Sequence, residues 1–200
     1  MQNSITHGLG ALLAAFGLGI LIPKVVGSNL QTVAAIIIYG ISLLILYLMS
    51  CLYHAFTNTK TKQIFRIFDH SSIFILITGS YMPFLLVSLA NYSYAIYVAV
   101  LLGICCISGI VLNIVDLKRF EKISMILYIL MGWFVIFMLK DVVSSLDING
   151  LILLILGGLA YTIGIIFYKA KKIRYMHSIW HVFVLMGSIF HYMCIYLFVI

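Results

Sequence analysis

Charged side chains are scarce in this chain. Only 8% of its 200 residues are Asp, Glu, Lys or Arg, whereas 64% are hydrophobic. Soluble domains carry about 25% charged residues, so the composition excludes a soluble globular protein. Between Asp69 and Asp116 run 46 consecutive residues without Asp, Glu, Lys or Arg, which is enough for two membrane-spanning helices of ~20 residues each. The sequence therefore predicts an integral membrane protein.

Cysteine and proline are also rare, with four and two residues respectively. The cysteines lie in or beside apolar runs and show no CxxC spacing, so we interpret them as packing residues that leave the redox compartment open. Pro83 lies inside an apolar run, where it removes a backbone hydrogen bond and predicts a kink. Gly79, one turn earlier, would let a neighbouring helix come close.

Seven apolar segments remain when the chain is cut at its charged and turn-rich stretches. Most have the length of a transmembrane helix, and at this length only helices satisfy their own backbone in lipid. We therefore predict an all-α fold, a polytopic bundle of seven transmembrane helices that forms a single domain over residues 1–200. The segments are, roughly, 5–23, 32–53, 71–90, 94–115, 123–139, 150–168 and 175–198.

The basic residues predict the orientation of this bundle. Ten of the twelve Lys and Arg residues fall in the second, fourth and sixth connections, and such loops stay in the cytoplasm. The N-terminus is then cytoplasmic and the C-terminus extracytoplasmic, in the plasma membrane. The net charge of +7 reflects this topology rather than nucleic acid binding, and the expected partners are membrane lipids. The ten residues are Lys60, Lys62, Arg66, Lys118, Arg119, Lys122, Lys169, Lys171, Lys172 and Arg174.

Four ionisable residues meet at the cytoplasmic end of this topology. His54 closes the second helix, Asp69 opens the third, and His177 and His181 lie in the first turns of the seventh. Positions i and i+4 share one helix face, so His177 and His181 can reach the same ion. Ser50 shares a face with His54, one turn deeper. Three imidazoles and a carboxylate are typical of a catalytic zinc site with a fourth position open to water.

The remaining histidines have simpler explanations. His191 lies ten residues beyond His181, about 15 Å deeper, so it cannot share the ion and is expected to make a helix-packing hydrogen bond. His70 points away from its neighbour Asp69 and is expected at the boundary or in support of the site. His7 enters the first helix at the right depth to support the site, but capping or packing explains it equally well. The acidic residues Asp116, Glu121, Asp141 and Asp147 are expected to be solvated in loops.

Three stretches of sequence carry a family resemblance. They are SCLYH at residues 50–54, FDHSSIFILITGSYMPF at residues 68–84 and HSIWHVFVLMGSIFH at residues 177–191, and NSITHGLG at residues 3–10 is similar to a first-helix motif of the same family. The chain resembles the hemolysin III family, which belongs with the progestin and adiponectin receptor proteins. The resemblance implies a zinc ion bound by His54, His177 and His181. It also implies that Asp69 orients water at the metal and that Ser50 lies beside it.

Three classes of function fit these residues. A zinc-dependent hydrolase would cleave an amide or ester of a membrane lipid that enters from the inner leaflet, with Asp69 and Ser50 as its catalytic residues. A sensor or receptor would keep zinc as a structural element. A pore-forming cytolysin, which the family name implies, is physically the weakest of the three, because no segment shows a continuous polar stripe. The sequence leaves the substrate and the oligomeric state open.

Overall fold

The computed structural model describes residues 2–169 and 175–200, and every regular element within them is helical. The predicted loop cations Lys171, Lys172 and Arg174 lie outside this part of the chain. A π-helical turn follows α3, and a 3-10 turn joins α4 to α5. The helices are α1 (Gln2–Val25), α2 (Leu30–Ala55), α3 (Thr59–Pro83), α4 (Tyr94–Gly132), α5 (Leu139–Ser145), α6 (Ile148–Lys169) and α7 (Met176–Phe198), and the turns are Phe84–Ser88 and Phe134–Met138.

Six helical stretches of the described chain are long and apolar enough to cross a membrane. One of them, Tyr94–Ser145, has 52 residues and would measure about 78 Å as a straight helix. That is more than twice the ~30 Å thickness of the hydrocarbon core. This stretch must therefore bend or reverse if it is to lie within a bilayer.

The reversal occurs at Asp116. Its backbone is extended (φ −162°, ψ 95°) inside an otherwise helical run. Its Oδ1 accepts hydrogen bonds from the amides of Lys118 and Arg119, at 3.1 and 3.0 Å, which is how an aspartate caps the start of a new helix. Ser124 donates to Asn113 Oδ1 at 2.9 Å, although eleven residues of straight helix would separate them by about 16 Å. The chain therefore folds back into two arms, residues 94–115 and 117–132.

Asparagine caps determine where two other helices begin. Asn29 Oδ1 accepts from the amide of Thr32 at the start of α2. Asn58 Oδ1 accepts from the amides of Lys60 and Thr61 at the start of α3. The prediction that Asp69 opens the third helix is therefore wrong. The helix begins ten residues earlier at Thr59, because the Asn58 cap outweighs the polarity of the first turns.

Glycine residues permit close contacts between helices, because they have no side chain. A Cβ on Gly79 would lie 2.3 Å from Ser42 Oγ, so α2 and α3 can approach only because this residue has no side chain, as predicted. A Cβ on Gly109 would lie 2.2 Å from the ring of Phe74, which brings the first arm of α4 against α3. At Pro83 the α-helix ends and continues as the π-helical turn, in which the Leu89 amide donates to the Phe84 carbonyl.

Candidate metal centre

Three histidine side chains from two helices meet at one point. His54 lies in the last turn of α2, and His177 and His181 lie in the first two turns of α7. The Nε2 atom of His177 is 3.2 Å from that of His54 and 3.1 Å from that of His181. All three ligand atoms lie within 4.8 Å of one another. The three histidines could therefore hold a metal ion, as the spacing in the sequence predicts.

The geometry fits a shared cation better than hydrogen bonding among the rings. An imidazole Nε2 carries either one proton or one lone pair in its plane, so His177 Nε2 cannot make good hydrogen bonds to two other Nε2 atoms. Zinc–nitrogen bonds of about 2.0–2.1 Å in a tetrahedron place ligand nitrogens about 3.4 Å apart. The observed separations of 3.1 and 3.2 Å are close to that value. The residues present therefore fit a metal ion of this type.

A hydrogen-bond chain from α1 orients one of these rings. The Thr6 hydroxyl donates to the Asn3 carbonyl at 3.0 Å and lies 3.2 Å from Nδ1 of His181. Because its only proton goes to Asn3, the hydroxyl must accept from a proton on Nδ1. The Nε2 atom of His181 then keeps its lone pair for a metal. Such partners determine the tautomer and orientation of metal-binding histidines.

His7 packs directly against the same ring. The two imidazoles are stacked, with ring centroids 3.6 Å apart and planes 19° from parallel. His7 is only 1% exposed, and neither of its ring nitrogens has a hydrogen-bond partner within the described chain. Tyr47 approaches its ring edge-on, with centroids 5.2 Å apart. His7 thus packs against a candidate ligand, a position that fits both of the roles expected from its depth.

Asp69 lies close to Ser50, which belongs to the same helix as His54. Asp69 is buried in the third turn of α3, and Ser50 is 1% exposed on α2, one turn before His54. The Ser50 hydroxyl lies close to the Asp69 carboxyl, but no protein atom in the described chain forms a well-shaped hydrogen bond with it. Buried polar atoms normally have a partner, and an exception marks a position for water or a ligand.

A large cavity adjoins this centre at His177. It has a volume of about 900 Å³ and is enclosed by α3, the second arm of α4, α6 and α7. Asp69, His177, Tyr53 and Trp180 are among the residues that line it. Most of the remaining residues that line the cavity are aliphatic or aromatic. The volume of the cavity lies within the range of ligand pockets.

Other predictions for individual residues had mixed outcomes. His191 Nε2 lies 3.2 Å from the Leu154 carbonyl of α6, which confirms the helix-packing hydrogen bond. Glu121 lies in the second arm of α4 and lines the cavity, so its assignment to a loop is wrong. Thr6 received no role from the sequence, although the first-helix motif at residues 3–10 contains it.

Comparisons with known proteins agree with this architecture. The family model described as Haemolysin-III related matches residues 1–192. The Hemolysin-3 homolog of Bacillus subtilis (strain 168) is 41% identical over 196 residues, which cover 98% of this chain and 92% of that protein. Hemolysin-3 of Bacillus cereus is 39% identical over 203 residues, or 100% of this chain and 91% of that protein. The human Monocyte to macrophage differentiation factor is more distant, at 27% identity over 88% of this chain and 79% of that protein.

The matches cover the whole bundle, including the helices that bring the three histidines together. They confirm the family that the motifs of α1, α2, α3 and α7 indicated. The chain belongs to the haemolysin-III-related family of membrane proteins.

Proposed function

We propose that this protein is a zinc-dependent hydrolase that cleaves an amide or ester bond of a membrane lipid. The observation that carries the proposal is the convergence of the His54, His177 and His181 nitrogens, together with a large and mostly apolar cavity that His177 lines. An acyl chain would lie along the cavity, and the polar linkage of the lipid would lie beside the histidines and Asp69. Such a pocket combines apolar walls with a few polar groups, as ligand sites in proteins generally do.

Each side chain has a defined task in this reaction. Zinc is the proposed metal because imidazole ligands suit it among the commonly available divalent ions, and when bound it would polarise a carbonyl group and activate water. The Asp69 carboxylate would take a proton from the attacking water and return it to the leaving nitrogen or oxygen. The Ser50 hydroxyl would hydrogen-bond the water or the carbonyl of the lipid. Burial of both groups keeps bulk water away from the reacting bond.

Catalysis is favoured over a purely structural metal by the number of ligands. Structural zinc sites are normally closed by four protein side chains, whereas catalytic sites keep one position open. Within the described residues the cluster contains three histidines. The buried carboxylate of Asp69 lines the same cavity as His177. A sensor that holds a structural ion would not need this carboxylate.

We further propose that the chain crosses the plasma membrane seven times, with its N-terminus in the cytoplasm. The reversal at Asp116 supports this proposal because it divides the 52-residue stretch into two parts of membrane-spanning length. The basic residues in the even-numbered connections support the orientation. The metal centre would then lie near the cytoplasmic face, where lipids of the inner leaflet can enter.

Turnover by purified protein tests the hydrolase directly. Wild-type protein and Asp69→Asn are incubated with ceramide and with phospholipids in micelles, and released fatty acid is measured by mass spectrometry. We expect Asp69→Asn to lower product formation by about 10²–10⁴-fold, the usual contribution of a general base, while the metal content stays the same. Asp147→Asn, in the connection before α6, is the matched control and should remain active.

Equal product from wild type and Asp69→Asn, or product from neither, would show that the proposal is wrong. The lipid composition of a deletion strain provides a second test that assumes no substrate. Under the proposal, one class of amide- or ester-linked lipid accumulates in the strain, and the wild-type gene reverses the change where the Asp69→Asn gene does not.

A further inference from the structure

One face of α3 lines the cavity, and the chemistry of its side chains changes along the helix axis. The residues of α3 and its π-helical turn that line the cavity recur every three or four positions, so they lie on one side of the helix. Their chemistry changes along the axis from cationic, through acidic, to apolar. The stripe includes Arg66, Asp69, Ile73, Leu76, Ser80 and Phe84.

Arg66 stands at the outer end of this stripe. It lies one turn before Asp69, a rise of about 4.5 Å along the helix axis, on the side away from the apolar part of the cavity. Arg66 and Tyr53 also line a shallow pocket that adjoins the cavity, together with Lys62. Lys62 lies four residues before Arg66, on the same face, and its Nζ is 5.4 Å from the centre of the Tyr53 ring. Two half-buried cations therefore lie at the mouth of the cavity.

This order of groups matches the order of groups in a glycerophospholipid. The phosphate of such a lipid is separated from its first ester linkages by the glycerol carbons alone, and the acyl chains extend in the opposite direction. Arginine binds phosphate oxygens with paired, charge-assisted hydrogen bonds. A phosphate at Arg66 would place an ester near Asp69 and the histidines, and an acyl chain along Ile73 and Phe84.

We infer that Arg66, assisted by Lys62, binds the phosphodiester of a glycerophospholipid. The inference rests on the proposed function and narrows its substrate class to phosphate-bearing glycerolipids, in place of ceramides or neutral acylglycerols. Glu121 lines the cavity from the facing second arm of α4, so carboxylates as well as cations lie around the headgroup. That balance of charge favours a zwitterionic headgroup with an ammonium group, such as phosphoethanolamine, over a headgroup with additional negative charge.

The position of Arg66 separates it from cations that serve membrane orientation alone. Lys118, Arg119 and Lys122 obey the same positive-inside pattern, but their side chains are exposed and line neither the cavity nor the adjoining pocket. Arg119 is therefore a matched control, because its replacement removes the same charge from a predicted cytoplasmic connection.

The test is a comparison of two lipids that differ only in the phosphoethanolamine headgroup. Palmitoyl-oleoyl-phosphatidylethanolamine and palmitoyl-oleoyl-glycerol are titrated into purified, zinc-loaded protein in detergent, and bound lipid is counted by native mass spectrometry. We expect Arg66→Gln to weaken binding of the phospholipid by at least about tenfold, the value of a charge-assisted hydrogen bond. Binding of the diacylglycerol should be unchanged, Arg66→Lys should be intermediate, and Arg119→Gln should match wild type for both lipids.

Equal binding of the phospholipid by wild type and Arg66→Gln would overturn the inference. An equal loss of both lipids would overturn it as well, since it would show damage to the cavity rather than to a phosphate site. Fatty acid release is read from the same samples. Absence of product together with the expected binding difference would refute the hydrolase and support the phosphate site. Formation of product together with equal binding by wild type and Arg66→Gln would support the hydrolase and refute the phosphate site.

Discussion

The hydroxyl oxygen of Thr6 lies 3.2 Å from Nδ1 of His181, across 175 residues of chain. The contact joins the first turns of α1 and α7. Because the Thr6 proton is donated to the Asn3 carbonyl, the contact selects the His181 tautomer that presents a lone pair from Nε2 to the shared centre. The orientation of one candidate ligand therefore depends on the opposite end of the sequence.

Replacement of Thr6 by valine should weaken metal binding without removing it. Valine keeps the shape of threonine and loses the hydroxyl, so the His181 ring loses one acceptor of its Nδ1 proton and keeps only its hydrogen bond to the Asn3 backbone. Partners of this kind contribute about 10–100-fold to metal affinity, and we expect a loss in that range by zinc competition with a chelator. Thr6→Ser retains the hydroxyl and should bind within a few-fold of wild type. Equal affinity in Thr6→Val and wild type would contradict this role.

The purified protein should contain about one zinc ion per chain, bound by the three histidines. His177→Ala and His181→Ala should each lose nearly all of it, since two remaining imidazoles make a poor zinc site. His191→Ala is the control on the same helix, about 15 Å from His181, and should keep its metal. Elemental analysis of protein purified without added zinc gives the readout. Full occupancy in both ligand variants, or a different metal in the wild type, would disprove the zinc assignment.

Two glycines of the first arm of α4 should respond oppositely to alanine. A Cβ on Gly109 would meet the ring of Phe74 at 2.2 Å, whereas a Cβ on Gly103 would meet nothing within 4 Å. Gly109→Ala should therefore destabilise the bundle by about 1–3 kcal/mol, as overpacking does. Gly103→Ala should be neutral or stabilising by up to about 1 kcal/mol, because alanine favours the helix. Thermal unfolding in detergent measures both, and an equal effect of the two substitutions would argue against the close packing of α4 on α3.

Seven spans and six spans differ in the location of the C-terminus. With an odd number of spans the two termini face opposite sides of the membrane, and with an even number they face the same side. We expect an epitope tag at the C-terminus to be accessible from outside intact cells, and a tag at the N-terminus to be accessible only after permeabilisation.

A labelling experiment checks the reversal at Asp116 independently. In a background without the four native cysteines, Asn91→Cys should react with an impermeant maleimide outside the cell, and Lys118→Cys should react only after permeabilisation. External labelling of Lys118→Cys would contradict the proposed orientation.

The helical bundle follows from the sequence because lipid allows few alternatives. Long apolar runs must form helices that satisfy their own backbone, so the central parts of the segments could be predicted from hydropathy. The ends could not. The Asn58 cap extends α3 to Thr59 through polar residues, and Asp116 turns the chain with one extended residue. Each effect comes from the hydrogen bonds of one side chain, which the average hydropathy of a segment does not reveal.

The candidate ligands were also accessible from the sequence, for a local reason. His177 and His181 are four residues apart on one helix, and the topology count places His54 at the same depth. The Nε2 atom of His177 lies 3.1–3.2 Å from those of the other two histidines, which is consistent with this count of helical positions. The support from Thr6 and the stacking of His7 depend on how α1 packs against α7, and no spacing in the sequence encodes that rotation.

The sequence alone therefore predicted an all-α membrane protein of this family, and it indicated the three histidines that could hold a metal ion. Those properties depend on composition and on helical periodicity, which are local. Folding in three dimensions decided which side chains surround the metal centre, where the long helical stretch reverses, and that a cavity of about 900 Å³ connects Arg66 and Asp69 with Phe84. These properties depend on contacts between helices that are distant in sequence, and small residues such as Gly79 and Gly109 permit those contacts.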